Sequence, residues 1–327
     1  MATSSYYPHV IKSLQKITLN HTCLRVKDPK VSVEFYTKKF GMKLLKQHKF
    51  PEYKFDLYFL GFDTNENKSK LKNSKGEIDV FQSSGILELT HNYGTENDPT
   101  FKVNNGNVEP NRGFGHVCFS CCDIVKTCDY LENEQKVTFR KKLSDGRQKD
   151  IAFVLDPDGY WIELVQYGSR NGVQFSDEGY KLNHTMIRVK DSKKSVQFYQ
   201  NVLGMDLVDV SEHANGKFTT YFLAYGKNED NGNNRWKREG ILELTHNWGT
   251  ENEPDFHYHN GNDKPQGYGH ICISCKDPAE LCNEIDSKYG DHIKWGVKYN
   301  QGKMKNLAFI KDPDNYSIEI VPYGLTL

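Results

Sequence analysis

Gly115-His116-Val117-Cys118, followed further on by Asp156-Pro157-Asp158-Gly159-Tyr160-Trp161-Ile162-Glu163, returns as Gly269-His270-Ile271-Cys272 and Asp312-Pro313-Asp314-Asn315-Tyr316-Ser317-Ile318-Glu319. A second pair of strings precedes each of these. Asn20-His21-Thr22 leads to Leu87-Glu88-Leu89-Thr90-His91-Asn92, and Asn183-His184-Thr185 leads to Leu242-Glu243-Leu244-Thr245-His246-Asn247. The chain is thus an internal repeat, and repetition at this scale defines the structural unit before any single element is assigned. Each half carries two His–Glu sets.

Working outward, each half divides again. His21–Arg25 alternates as a strand does. Asp28-Pro29 opens a helix with Pro in its first turn. Val33, Tyr36 and Phe40 form its apolar stripe, and Gly41 ends it. Strand-like runs follow at Lys43–Lys46, Phe55–Leu60 and Gly85–Thr90. The next quarter repeats the order: a strand at His116–Ser120, a helix from Asp123 through Leu131, then strands at Thr138–Lys141, Asp150–Leu155 and Tyr160–Gln166. The expected fold is α+β, four βαβββ modules, each with His on its first strand and Glu on its last. Expected boundaries are a loose N-terminal extension at 1–16, a first domain at 17–168, a linker at 169–178 and a second domain at 179–327. The two halves differ mainly in the polar loop after Leu60, which is longer than the one after Leu223.

Composition narrows the function classes. With 43 Lys and Arg against 43 Asp and Glu in 327 residues, nothing favours nucleic acid or an acidic membrane as a partner. No apolar run spans a bilayer, and no secretory signal is seen, so a cytoplasmic location is expected. Cys118-Phe119-Ser120-Cys121 and Cys272-Ile273-Ser274-Cys275 look like metal-binding pairs. In a strand, however, residues three apart face opposite ways, so these read as reduced thiols. Glu88, Glu163 and Glu319 each sit between two aliphatic residues. A buried carboxylate is costly without a partner. Four such positions matched to four strand histidines point to two divalent-metal sites of two His and two Glu. His91 and His246 fall on the opposite strand face and are expected to be structural.

The strings LELTHNYGT at 87–95 and LELTHNWGT at 242–250, RGFGHVCF at 112–119 and QGYGHICI at 266–273, and DPDGYWIEL at 156–164 resemble glyoxalase I (lactoylglutathione lyase). The resemblance covers nearly the whole chain and is strongest to the fused, two-domain form of yeasts. It implies the vicinal oxygen chelate fold, in which modules pair into a curved sheet around each metal. It further implies sites shared between halves: His21, Glu88, His270 and Glu319 in one, His184, Glu243, His116 and Glu163 in the other. A monomer with an internal pseudo-dimer interface follows. The implied metal is zinc, two per chain. His at positions 21 and 184, where the animal family has Gln, also admits nickel, cobalt or manganese.

The implied reaction converts the hemithioacetal of methylglyoxal and glutathione to S-lactoylglutathione through an enediolate. Glu163 and Glu319 are implied as bases, with Glu88 and Glu243 assisting the opposite stereoisomer. Substrate contacts carry over to Arg25, Asn92 and Lys303 in the first site, and to Arg188, Asn247, Arg112, Lys141 and Arg147 in the second. Gln266 stands where the pattern has Arg. Near Val297 and Lys298 the correspondence slips and no contact is assigned. Two other readings share the module: an extradiol dioxygenase, with Fe(II) on two His and one carboxylate, and a non-catalytic binding protein of the antibiotic-sequestering kind.

Overall fold

A computed structural model describes residues 5–11, 15–62, 79–167, 179–226 and 234–326. The predicted linker at 169–178, and most of the loops after Leu60 and Leu223, lie outside these residues.

Among the described residues the strands form two eight-stranded sheets, and neither belongs to one half. The first module supplies β1 (Ile17–Val26), β2 (Lys43–Phe50), β3 (Phe55–Gly61) and β4 (Ile86–Asn92); the fourth supplies β13 (Tyr268–Cys275), β14 (Lys294–Val297), β15 (Ala308–Lys311) and β16 (Ser317–Pro322). Together they give the order β14-β15-β16-β13-β1-β4-β3-β2. The second module supplies β5 (Phe114–Cys121), β6 (Phe139–Lys141), β7 (Ala152–Leu155) and β8 (Trp161–Gln166); the third supplies β9 (Lys181–Arg188), β10 (Asp206–His213), β11 (Phe218–Ala224) and β12 (Ile241–Asn247). Their sheet runs β10-β11-β12-β9-β5-β8-β7-β6. Both seams are antiparallel, β1 on β13 and β5 on β9.

Side-chain alternation separates two faces of each sheet. Leu87, Leu89, Ile318 and Ile320 enter a core shared by both sheets, where Phe114 and Tyr268 stack 5.1 Å apart. Glu88 and Glu319, one residue out of phase, point to the other face, into a cavity. The helices cover the core side. Helix Pro29–Phe40 is capped by Asp28, whose side chain accepts from the Lys30 amide, and ends at Gly41 with φ 73°. Its Phe40 packs 5.0 Å from Phe119 of the other sheet. The helix from Ile124 ends at Asp129 and runs into a π turn over Tyr130–Glu134.

The Asp-Pro-Asp-Gly turns tie modules within a half. Asp156 Oδ1 accepts the amides of Asp158 and Tyr160 at 2.9 Å each, while Tyr36 Oη donates to Asp156 Oδ2 at 2.9 Å. Tyr199 and Asp312 repeat the contact at 2.9 Å. The turn requires left-handed backbone, met by Gly159 at φ 82° and Asn315 at φ 66°. Burial pushes the Asp156 carboxyl up to about 7, with the Asp158 charge adding to the rise.

Within the loose extension expected for 1–16, the described residues 5–11 pack against the folded chain. Tyr7 and Ile11 are buried, and Tyr7 sits edge-on to Phe198 and Tyr289 at 5.5 and 5.9 Å. The apolar residues of this segment find partners in the second half of the chain, which local composition does not reveal.

Gly267 sets how closely the halves approach. Its carbonyl accepts from the Arg25 amide and it bridges to Asn104, and an added Cβ would lie 1.8 Å from the Asn104 carbonyl oxygen. Gly267→Ala is expected to cost about 1–3 kcal/mol through overpacking, read as a fall of several degrees in Tm by thermal circular dichroism; an unchanged Tm contradicts this packing.

Candidate metal centres

Each seam carries four donors across the two halves. In the first sheet His21 pairs with Cys272 across the seam and Cys23 with His270, so the two imidazoles stand diagonally on the cavity face. Their Nε2 atoms are 3.2 Å apart. Glu88 enters from β4 and Glu319 from β16, the strands flanking the seam. Glu88 Oε2 lies 3.1 Å from His21 Nε2 and 3.9 Å from His270 Nε2; Glu319 Oε2 lies 3.5 Å from each. The second sheet repeats the arrangement. His116 and His184 Nε2 are 3.2 Å apart, Glu163 is 3.5 and 3.3 Å from them, and Glu243 is 3.8 and 3.0 Å. The eight predicted donors are therefore brought together in the two cross-half sets. His91 and His246 are not among them: each contacts an acid on its own loop, Glu96 at 2.7 Å and Glu251 at 2.8 Å.

The spacing fits a divalent ion. Metal–donor bonds of about 2.0–2.2 Å in a tetrahedron give donor–donor edges of about 3.3–3.6 Å, within the range seen in both clusters. The ring orientation fits as well. Asn20 Oδ1 accepts from His21 Nδ1 at 2.7 Å and Asn183 Oδ1 from His184 Nδ1 at 2.8 Å, which leaves each Nε2 lone pair facing the cluster. Both asparagines are themselves fixed, Asn20 on the carbonyls of Val80 and Ser83, Asn183 on those of Arg235 and Arg238.

Electrostatics point the same way. Burial raises the Glu88 carboxyl, but His21, His270 and Cys23 together outweigh it and hold the group at about 2. Glu163 is likewise held well below the ordinary carboxylate range by His116 and His184, against burial. Burial lowers His184, yet its bonds to Glu163 and Glu243 carry it up to about 9. Two carboxylates kept ionised in a buried place need matching positive charge. A divalent cation held by neutral imidazoles would supply it.

The carboxylates of each pair are held differently. Glu88 accepts from the Thr90 hydroxyl at 2.9 Å and Glu243 from Thr245 at 3.0 Å. Glu163 and Glu319 instead neighbour the thiols of Cys118 and Cys272, which are weak donors.

A cavity of about 690 Å³ opens onto the first cluster and includes Arg25, Asn92 and Lys303. Arg25 donates to Asn262 Oδ1 at 2.7 Å and to the Tyr268 carbonyl at 3.1 Å; Arg188 does the same with Asn107 at 2.9 Å and Phe114 at 3.0 Å. Asn247 Nδ2 donates to Tyr258 Oη at 2.8 Å. Arg112 pairs with Glu109 at 3.2 Å, Arg147 is exposed, and Lys141 Nζ turns back onto the carbonyls of Gln148 and Ile151. Gln266 is exposed and donates to the Asn262 carbonyl at 2.9 Å. Strand register resolves the slipped region: Val297 opposes Phe309 as Lys141 opposes Phe153.

The family model for the Glyoxalase/Bleomycin resistance protein/Dioxygenase superfamily matches residues 18–164 and 181–320. Glyoxalase I of Saccharomyces cerevisiae is 59% identical over 327 residues, covering 98% of each chain. The chain belongs to the glyoxalase I family. Lactoylglutathione lyase of Schizosaccharomyces pombe is 48% identical, over 93% of this chain and 95% of that one. The crystal structure of glyoxalase I from Zea mays superimposes with a TM-score of 0.71 at 25% identity, covering 95% of this chain and 94% of that one.

Sequence reasoning passed over several residues of the clusters. Asn20 and Asn183 immediately precede their histidines, a repeated signal that was available. Cys23, whose donor atom lies within 4.8 Å of those of Glu88 and His270, is matched by Met186 in the other cluster, so no repeat marks it. Asn20→Ala and Asn183→Ala are each expected to weaken metal binding about 10–100-fold at one cluster only. Chelator competition followed by metal analysis checks this; retention of both ions at wild-type affinity contradicts it.

Proposed function

We propose that each cluster holds one zinc ion and is an active site of a lactoylglutathione lyase, acting on the hemithioacetal of methylglyoxal and glutathione. Near full-length identity to proteins named for this activity supports the reaction. His21, Glu88, His270 and Glu319 would hold one ion, and His184, Glu243, His116 and Glu163 the other. When bound, such an ion acts as a Lewis acid that stabilises negative charge developing on substrate oxygen.

The isomerisation removes a proton from one carbon of the adduct and returns it to the next, turning an alcohol beside a ketone into a thioester beside an alcohol with no net electron loss. Glu163 and Glu319 are the residues assigned to that proton. The observation that carries the assignment is the different restraint on the carboxylates beyond the imidazoles all four share: threonine hydroxyls pin Glu88 and Glu243, whereas among the described residues the weak thiol donors Cys118 and Cys272 take that place beside Glu163 and Glu319. A base that must swing between its rest position and a substrate carbon needs that freedom. Arg25, Asn92 and Lys303, and in the other site Arg188, Asn247, Arg112, Lys141 and Arg147, are assigned to the carboxylates and amides of the glutathione moiety. The dioxygenase reading fits less well, because each cluster has two carboxylates where that chemistry uses one. Two complete donor sets likewise exceed what a binding protein needs.

Mixing the protein with methylglyoxal and glutathione should produce the thioester absorbance, and a catechol should elicit no oxygen uptake. Glu163→Gln and Glu319→Gln should each leave the other site working, while the double variant loses about 10²–10⁴-fold. A double variant at wild-type rate contradicts both base assignments.

A further inference from the structure

The two sites are not copies in the side chains that stand beside the clusters. In the first, Phe59 and Phe81 stand edge-on to His21 at 5.7 and 6.3 Å, and with Leu57 they wall the cavity beside the cluster. Phe222 and Trp236 take these places beside His184, at 5.8 and 6.1 Å. Thr220 stands where Leu57 does, and Lys141 where Val297 does. The largest difference precedes the second aromatic. Val80, buried in an apolar cluster, is matched by Arg235: their carbonyls receive the equivalent asparagine amides, from Asn20 and Asn183.

The Arg235 guanidinium lies over both rings, 4.0 Å from the Phe222 centroid and 4.0 Å from that of Trp236. Asp209 anchors it through an ion pair, and Lys46 occupies the position of Asp209 in the first site. The two rings it covers flank His184, which places the guanidinium beside the cluster. Its Nε is buried with no hydrogen-bond partner among the described residues. A bulky apolar substituent seated there would further desolvate a fixed cation. A small substituent bearing an oxygen would instead accept from the part of this side chain that stays accessible, which is 17% exposed.

Taking the isomerase reading as given, we propose that Arg235 makes the Glu163 site selective for adducts of small, oxygen-bearing 2-oxoaldehydes, leaving bulky apolar ones to the Glu319 site. Arg235 is thus a specificity-determining residue present in one site of a duplicated pair.

The test compares kcat/KM for phenylglyoxal and for 3-hydroxy-2-oxopropanal, each with glutathione, in Glu163→Gln, where the Glu319 site works, and in Glu319→Gln, where the Glu163 site works. The phenyl-to-hydroxymethyl ratio should be at least about tenfold higher in Glu163→Gln. Adding Arg235→Val to Glu319→Gln should close most of that gap, with circular dichroism reporting that the variant is folded. Ratios equal within twofold between the two single-site chains overturn the proposal, whatever Arg235→Val does. So does a gap that a folded Arg235→Val leaves untouched. Failure of the native chain to isomerise the methylglyoxal adduct would instead overturn the underlying function.

Discussion

Two antiparallel seams, β1 on β13 and β5 on β9, carry the rest of the molecule, because each brings together strands from opposite halves of the chain. Adjacent strands lie about 4.7–4.9 Å apart, and diagonal residues on one face then point their side chains at a common spot. His21 with His270, and His116 with His184, converge there to 3.2 Å. The flanking parallel strands add one carboxylate from each half. Helix and turn contacts, such as Tyr36 to Asp156, join modules within a half, so every module is tied once within its half and once across it.

The price of that convergence is buried charge. Four carboxylates lie under 10% exposed on the cavity faces of the sheets. Such groups are tolerated only with partners, and the imidazoles alone match them poorly unless protonated. The same arrangement that makes the sites costly in the absence of a cation makes them strong metal ligands. In the proposed reaction it also separates roles: the carboxylates held by threonine would serve as fixed donors, and those beside thiols would carry the proton.

Much of this was legible in the sequence because the relevant signals are local or repeated. Period-two alternation places Glu88 and Glu319 opposite the faces of Leu87 and Ile318, and the doubled strings expose the modules. The resemblance carried the pairing of donors across halves, which no local pattern states. What escaped was long-range or unrepeated. Tyr7 looks like tail sequence until Phe198 and Tyr289 are folded against it. Lys141 and Val297 correspond only through strand register. Arg235 has no matching charge in the first site, so a reading built on repetition had no means of noticing it.

On this assembly each site is completed by the opposite half of the chain. Two double variants separate this directly by isomerase rate. His21→Ala with Glu319→Gln removes two donors from one cluster and should leave the other site's activity intact. His21→Ala with Glu163→Gln removes one donor from each cluster, both from the first half, and should abolish activity. The reverse pattern, with the first combination inactive and the second retaining one working site, would contradict the cross-half assembly.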